Sequence, residues 1–436
     1  MKKIRILFYT VFLLLCKHYQ SQIIIFPFKR NISTNRKEED FYSYYQYNDI
    51  YTPINIGTPP VEMNVQIKMS QYSFCLRNDS IYDYEHSSTY KQNEEGFEYN
   101  YNKYIPSKES FIFGKENIKI DNFNFMLTKN SKYNYQGLLG LKIHENNNKT
   151  KDYNIIAQLK ANKLINKEIF FFNYNKEGDD GELIIGDYPH CIDKFKEKYS
   201  ENQFKSVNIR LFNYDIKFDI DFRSIFFNGE EIETSNLIHI ELESGYIIGS
   251  QKFEDKSYDF LQAHFRNHIC KREIVNVLYY AYICDDVPEL DISTFPEVNF
   301  YISHIDYNLT LTYEDMFIKK NGKIYFMVVF HKFGGAFWTL DYTFIRRNKL
   351  IFDKDKRCIG VYINNNNENN NGDKNQKTSN NQDDKNKIIY IIAIIIASGI
   401  IICLVVFILS KFVLNKKKKA PFVLDEDFVY NPVIKP

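Results

Sequence analysis

The chain of 436 residues has almost no net charge, a single tryptophan, and only 17 glycines and 11 prolines. Each shortage excludes something. A formal charge of +1 supplies no global field to draw in nucleic acid or a membrane surface. No glycine-rich loop is present to cradle a phosphate. No Gly-x-Ser-x-Gly elbow marks a serine nucleophile. His86, His190 and His239 are scattered along the chain. His264 and His268 are spaced to share one helix face, but they lack the glutamate of a His-Glu-x-x-His zinc helix. We therefore expect no metal, no cofactor and no nucleic-acid partner. Helical periodicity is scarce as well, with Asn154–Leu164 and Tyr258–His268 the two candidates.

What is present begins with the ends. Lys2, Lys3 and Arg5 precede the apolar run Ile6–Cys16, the pattern of a secretory signal peptide over 1–21 or of a short signal anchor. Near the other end, 388–414 is apolar apart from Lys411, long enough for a transmembrane helix. Lys416–Lys419 follow, which places a tail over 415–436 in the cytosol. The Asn-rich stretch 363–387 cannot bury apolar surface and is expected to be a disordered stalk. These segments predict a single-pass type I membrane protein of the secretory route, at the cell surface or in endolysosomal vesicles. Tyr430-Asn431-Pro432-Val433 fits a tyrosine-based sorting signal.

Outside the signal and the span, five cysteines remain, so at least one lacks a partner within the chain. Cys270 and Cys284 close a short loop and are the first candidate pair; the remaining connectivity is open. Glycosylation sequons begin at Asn31, Asn78, Asn148 and Asn308. Between about 48 and 362, short apolar runs alternate with turn residues, as in Ile209–Phe212 and Ile324–Phe330. The body should be mostly β.

Several fragments recur there in a telling order. Tyr51-Thr52-Pro53-Ile54-Asn55-Ile56-Gly57-Thr58-Pro59-Pro60 comes first, then Ser87-Ser88-Thr89-Tyr90, then Gln136-Gly137-Leu138-Leu139-Gly140-Leu141. Gly181–Asp187, Tyr214–Gly229, Trp338–Arg346 and the pair Phe352-Asp353 with Ile359-Gly360 complete the series. Together they resemble the pepsin-like aspartic proteases over about 48–362. The resemblance implies a bilobal β fold with a central cleft: an amino-terminal lobe over 48–205, a carboxy-terminal lobe over 206–362, and a short segment, 22–47, ahead of them. That segment is too short for the propeptide that covers the aspartates in family zymogens.

The resemblance also implies one Asp-Thr-Gly loop per lobe. Here Lys68, Met69 and Ser70 stand in the first, and Glu243, Ser244, Gly245 and Tyr246 in the second. A cation thus replaces the first carboxylate. We expect Lys68 and Glu243 to face each other as an ion pair. The tyrosine of the flap over the cleft falls at Tyr99 or Tyr101, with no glycine-rich tip after it. With Ser70, Ser244 and Gly245 these complete the cleft candidates. The expectation is a catalytically inactive pseudoprotease that binds a peptide or protein in its cleft. The alternative is an aspartic-type endopeptidase with non-standard groups, Glu243 acting with a recruited acid such as Asp341.

Overall fold

The computed structural model describes residues 22–30, 49–77, 81–93, 95–99, 102–128, 136–143, 151–175, 180–210, 217–335 and 337–363. The expected signal peptide, stalk, span and tail lie outside the described residues, as do Asn31, Asn78, Asn148 and Tyr101. Among the described residues no helix is long and apolar enough to cross a membrane.

Alternation of side chains builds the first hairpin. Ile50, Ile54 and Ile56 turn inward from the strand Ile50–Ile56, and Met63, Val65 and Ile67 from Val61–Lys68. The two strands pair antiparallel, Tyr51 opposite Gln66 and Ile56 opposite Val61. They sit inside a 14-stranded sheet. The second half repeats the plan. Phe218–Phe227 and Glu230–Ile240 form a long antiparallel hairpin in an 11-stranded sheet.

In each half the second hairpin strand is then clamped by a later, parallel one. Val61–Lys68 runs beside Gly137–Gly140, with Lys68 opposite Gly140. Glu230–Ile240 runs beside Trp338–Leu340, with Ile240 opposite Leu340. The duplicated clamp fixes where each hairpin releases its loop.

Two findings correct the expected boundaries. The stretch Ile24–Arg30, set apart by sequence in the segment 22–47, is a strand of the first sheet. It pairs with Asp180–Ile185 along its length and reaches Ile50–Ile56 at Lys29 and Arg30. Its alternate residues Ile24, Phe26 and Phe28 are buried, which is why it cannot stay outside. The carboxy-terminal strands Ile351–Asp353 and Cys358–Tyr362 also join this first sheet, on Ile169–Tyr174 and Phe204–Asn208. The two halves therefore share one sheet across residue 205.

The helices follow their caps. Asn154 accepts from the amide of Ala157 and opens Ile155–Ala161. Ser250 accepts from Phe253 and opens Gln251–Arg266, seven residues ahead of the expected start at Tyr258. That helix stops at Arg266, and His268 has a φ of 59°, so His264 and His268 do not share its face. Ile209 lies outside any strand, and the expected run Ile324–Phe330 divides at Met327, whose amide turns aside to Met316 O at 2.7 Å.

The core is aromatic. Phe74 and Phe111 meet at 5.2 Å between ring centres, and Phe113 and Phe123 at 5.1 Å. Trp338 packs between Phe253, at 5.0 Å, and Phe300, at 5.2 Å. Each such buried ring contributes about 1.5–3 kcal/mol by leaving water. Cys270 and Cys284 face each other across an antiparallel pair and form the expected disulfide. Cys75, Cys191 and Cys358 are free thiols.

Candidate functional site

Lys68 ends its strand with its carbonyl held by the amide of Leu141 at 2.8 Å. The loop that follows packs onto Gly140, where a Cβ would stand 2.6 Å from Gln71 O and 2.8 Å from Ser73 O. Only glycine admits that approach. The second loop is held alike, the amide of Glu241 donating to Leu340 O at 3.0 Å.

The two loops meet. The amide of Ser70 donates to Glu243 Oε1 at 2.7 Å, linking residues 173 positions apart. The other oxygen of Glu243 accepts from the amide of Leu242 at 3.2 Å. The two loops singled out in the sequence are thus in contact. The expected partner of Lys68 is corrected, however. Its ammonium lies 3.5 Å from Asp49, and no ion pair joins it to Glu243 among the described residues. Period-two geometry explains this: Gln66 and Lys68 share one face of their strand, and both reach the carboxylate that stands just before Ile50. Asp49 also accepts from Gln66 Nε2 and, at 3.3 Å, from the Tyr51 hydroxyl. Met69 points into the core. Asp49 was missed at the sequence level, although the hairpin register that places Tyr51 opposite Gln66 puts position 49 beside position 68.

Beside Glu243 lies a chain of charged groups. Ser244 Oγ donates to Glu241 Oε1 at 2.7 Å. Glu241 Oε2 lies 3.3 Å from His239 Nε2, and His239 Nδ1 lies 2.6 Å from Asp219 Oδ1. Burial opposes a charge on His239, but hydrogen bonds to Asp219 and Glu241 outweigh it and raise the imidazole to about 9. His239 is thus cationic at neutral pH. Burial works against the charge of Glu241 too, yet His239 holds its carboxyl below the usual range. The sequence signal was partial: Glu241 stands two positions after His239, just past the strand Glu230–Ile240, whereas Asp219 lies opposite His239 only through the ladder register.

Tyr246, the last of the second-loop residues, begins a series of rings. It lies 6.1 Å from Tyr279, which lies 5.5 Å from His331. His331 in turn reaches Phe333 at 5.6 Å and Phe337 at 6.4 Å.

The model of the family described as eukaryotic aspartyl protease matches residues 49–362. The chain belongs to that family. Among solved structures it is similar to basic 7S globulin from soybean, with a TM-score of 0.57 and 12% identity over 78% of this chain and 96% of that one. At that identity the likeness is one of fold, and the fold is the two-lobed pepsin-like one. None of the curated proteins compared with the chain matches it.

As an aspartyl protease family member the chain has an unusual centre. Its first loop offers a cation already engaged by Asp49, and its second offers one carboxylate engaged by two amides. Asp341, the candidate recruited acid, is buried and caps the helix Tyr342–Asn348, accepting from the Thr343 amide at 3.0 Å and its hydroxyl at 2.6 Å. Burial pushes it up to about 6. At the expected flap, Phe97–Tyr99 pairs antiparallel with Asn102–Phe113, and Tyr99 opposite Asn102 closes the hairpin. Asn308 is exposed on the strand Tyr307–Leu311, but the Thr310 hydroxyl of its sequon donates to Asn299 at 2.8 Å. Among the described residues no group of three or more His, Cys, Asp or Glu side chains is arranged to hold a metal.

Proposed function

We propose that this family member is a membrane-tethered pseudoprotease, one that holds an extended peptide or protein segment in its cleft without cutting it. The observation that carries the reading is the Lys68–Asp49 pair at 3.5 Å. Aspartic hydrolysis needs two carboxylates that share a proton and hold one water between them. An ammonium has three donors and no acceptor, so it cannot take the proton from that water. Glu243 is one methylene longer than aspartate, which displaces its oxygens beyond the tolerance that catalysis allows. Deleting a central catalytic group in another protease type costs on the order of 10⁴–10⁶ in rate.

Binding has separate support. Ile274, Val277, Leu278, Phe333 and Phe337 are exposed, Val277 at 83% and Phe333 at 81%. The rings among them continue the series that starts at Tyr246 beside the second loop. Exposed apolar surface of this kind marks a contact site for another molecule. The tether rests on the signal, span and basic tail read from sequence.

The test is incubation of the purified protein with fluorogenic peptides and denatured globin between about pH 3 and 7, the range in which a carboxylate pair works. No cleavage and no tight binding of a statine-type inhibitor are expected. Statine-sensitive turnover would instead establish the endopeptidase reading.

A further inference from the structure

The exposed apolar side chains named above sit on two neighbouring turns. Ile274, Val277 and Leu278 belong to the turn between the strands Cys270–Ile274 and Tyr279–Asp285. Phe333 and Phe337 belong to the turn between Val328–His331 and Trp338–Leu340. Among the described residues, Ile81 and Phe260 are the other exposed large hydrophobic side chains. Resting on the membrane tether of the proposed function, we infer that these two turn tips enter the surface of the lipid bilayer that holds the run 388–414.

Both tips are held out by their own turns. Asn276 Oδ1 accepts from the amides of Leu278, at 2.8 Å, and Tyr279, at 2.9 Å, and closes the first. In the second, His331 Nδ1 accepts from the Phe333 amide at 3.2 Å, and His331 O from that of Gly334 at 3.0 Å. The turns are joined to each other, the Lys332 amide donating to Leu278 O at 2.8 Å and Tyr279 lying opposite His331. Turns ordinarily carry Gly, Asn, Asp or Ser at such tips. Val277 and Phe333, the most exposed of the five, leave their surface for an outside apolar phase. The shape favours lipid over protein. A protein interface is a closely packed patch inside a polar rim. Two protruding tips with an amphipathic ring behind them suit a bilayer, whose hydrocarbon takes phenyl and aliphatic groups and whose headgroup layer takes tyrosine. Tyr279, half-buried, follows Leu278 into its strand and supplies that ring. No acidic residue stands in 274–279 or 331–337 to oppose entry, and Glu273, next to the first turn, pairs with Lys271 at 2.7 Å. Length permits the approach: 364–387 spans at most about 80 Å when extended, more than the width of a body this size. The series of rings thus has two ends, Tyr246 beside the second loop and its peptide, Phe333 and Phe337 in the lipid.

The experiment takes the native Trp338, buried in the core, as its baseline. The full chain, carrying Phe333→Trp or Val277→Trp, is placed in phosphatidylcholine vesicles whose acyl chains bear bromine near the headgroup. Each added tryptophan should lose fluorescence relative to the same protein in unbrominated vesicles, well beyond the loss seen for the parent chain. Phe260→Trp, on the helix Gln251–Arg266, should match the parent. Because Val277 and Phe333 are exposed, both tip variants should unfold at the parent temperature. An alkaline carbonate wash shows separately whether the chain stays in the vesicles. If it stays and either tip is unquenched, or if Phe260→Trp is quenched as strongly, the inference is overturned, the tether stands and the two turns are left to a protein partner. If the wash strips the chain, the tether fails and the inference fails with it.

Discussion

The Ser70 amide and the Glu243 carboxylate, 2.7 Å apart, connect two loops whose contacting residues lie 173 positions apart in the chain. The Glu243 side chain thus serves as an acceptor for the backbone of the other loop. Glu243→Ala removes the acceptor for two amides, those of Ser70 and Leu242. Hydrogen bonds to a charged group at a half-buried site set the expected loss at about 1–3 kcal/mol. Glu243→Gln, which keeps an acceptor oxygen, should lose less. Urea unfolding of the three proteins orders them, and equal midpoints for alanine and parent would disprove the bridge.

The Lys68–Asp49 pair has side chains 20% and 21% exposed, so solvent weakens it. A double-mutant cycle of Lys68→Met and Asp49→Asn should return a coupling of no more than about 1 kcal/mol. Lys68→Asp, which restores the family's residue alone, should destabilise the protein by setting two carboxylates side by side, and should produce no turnover. Peptide cleavage by that single variant would mean that Glu243 is already placed for catalysis.

Gly140 and Gly322 separate two uses of glycine. Alanine at Gly140 would press its methyl against backbone oxygens at 2.6 and 2.8 Å, so the loop after Lys68 must shift. The cost should exceed about 2 kcal/mol. Gly322, at φ +69° with open space around it, should cost only about 1 kcal/mol on the same change. Thermal unfolding of both variants tests the ranking.

His239 gives stability a pH signature. Its folded value, about 9, lies above the ordinary 6.5. The stabilisation is therefore fully present below pH 6.5 and is lost as pH rises from there through about 9. Its ceiling is about 3 kcal/mol for a shift of this size. Against His239→Gln, the parent's advantage should shrink across that window; a constant difference would mean that the imidazole is not held charged by Asp219 and Glu241.

The landmarks of the fold were legible because each is dictated by local chemistry. Alternating isoleucines announce the hairpin around Gly57, and the ordered fragments up to Ile359-Gly360 place the rest of the body. Asn154 marked its helix because an N-cap needs a short side-chain acceptor at that point. Ser250 is an equally good cap, yet the polar run Glu254, Asp255, Lys256 and Ser257 between Phe253 and Leu261 hid their buried face. At the site, position along the chain singled out two loops that the structure brings into contact through Ser70 and Glu243. It did not reveal their partners, because those depend on strand register and on the turn of one side chain. Asp49 and Asp219 reach their cations across ladders, and no spacing in a single strand displays that.

The strand Ile24–Arg30, flanked by Asp180–Ile185 and at its end by Ile50–Ile56, also limits how the protein can be processed. Were a maturing enzyme to trim the front of the chain past Arg30, the body would be unzipped through the middle of its largest sheet, leaving bare ladder edges prone to self-association. A cut behind the apolar run at the front of the chain would therefore have to fall before Ile24 to leave this strand in its sheet.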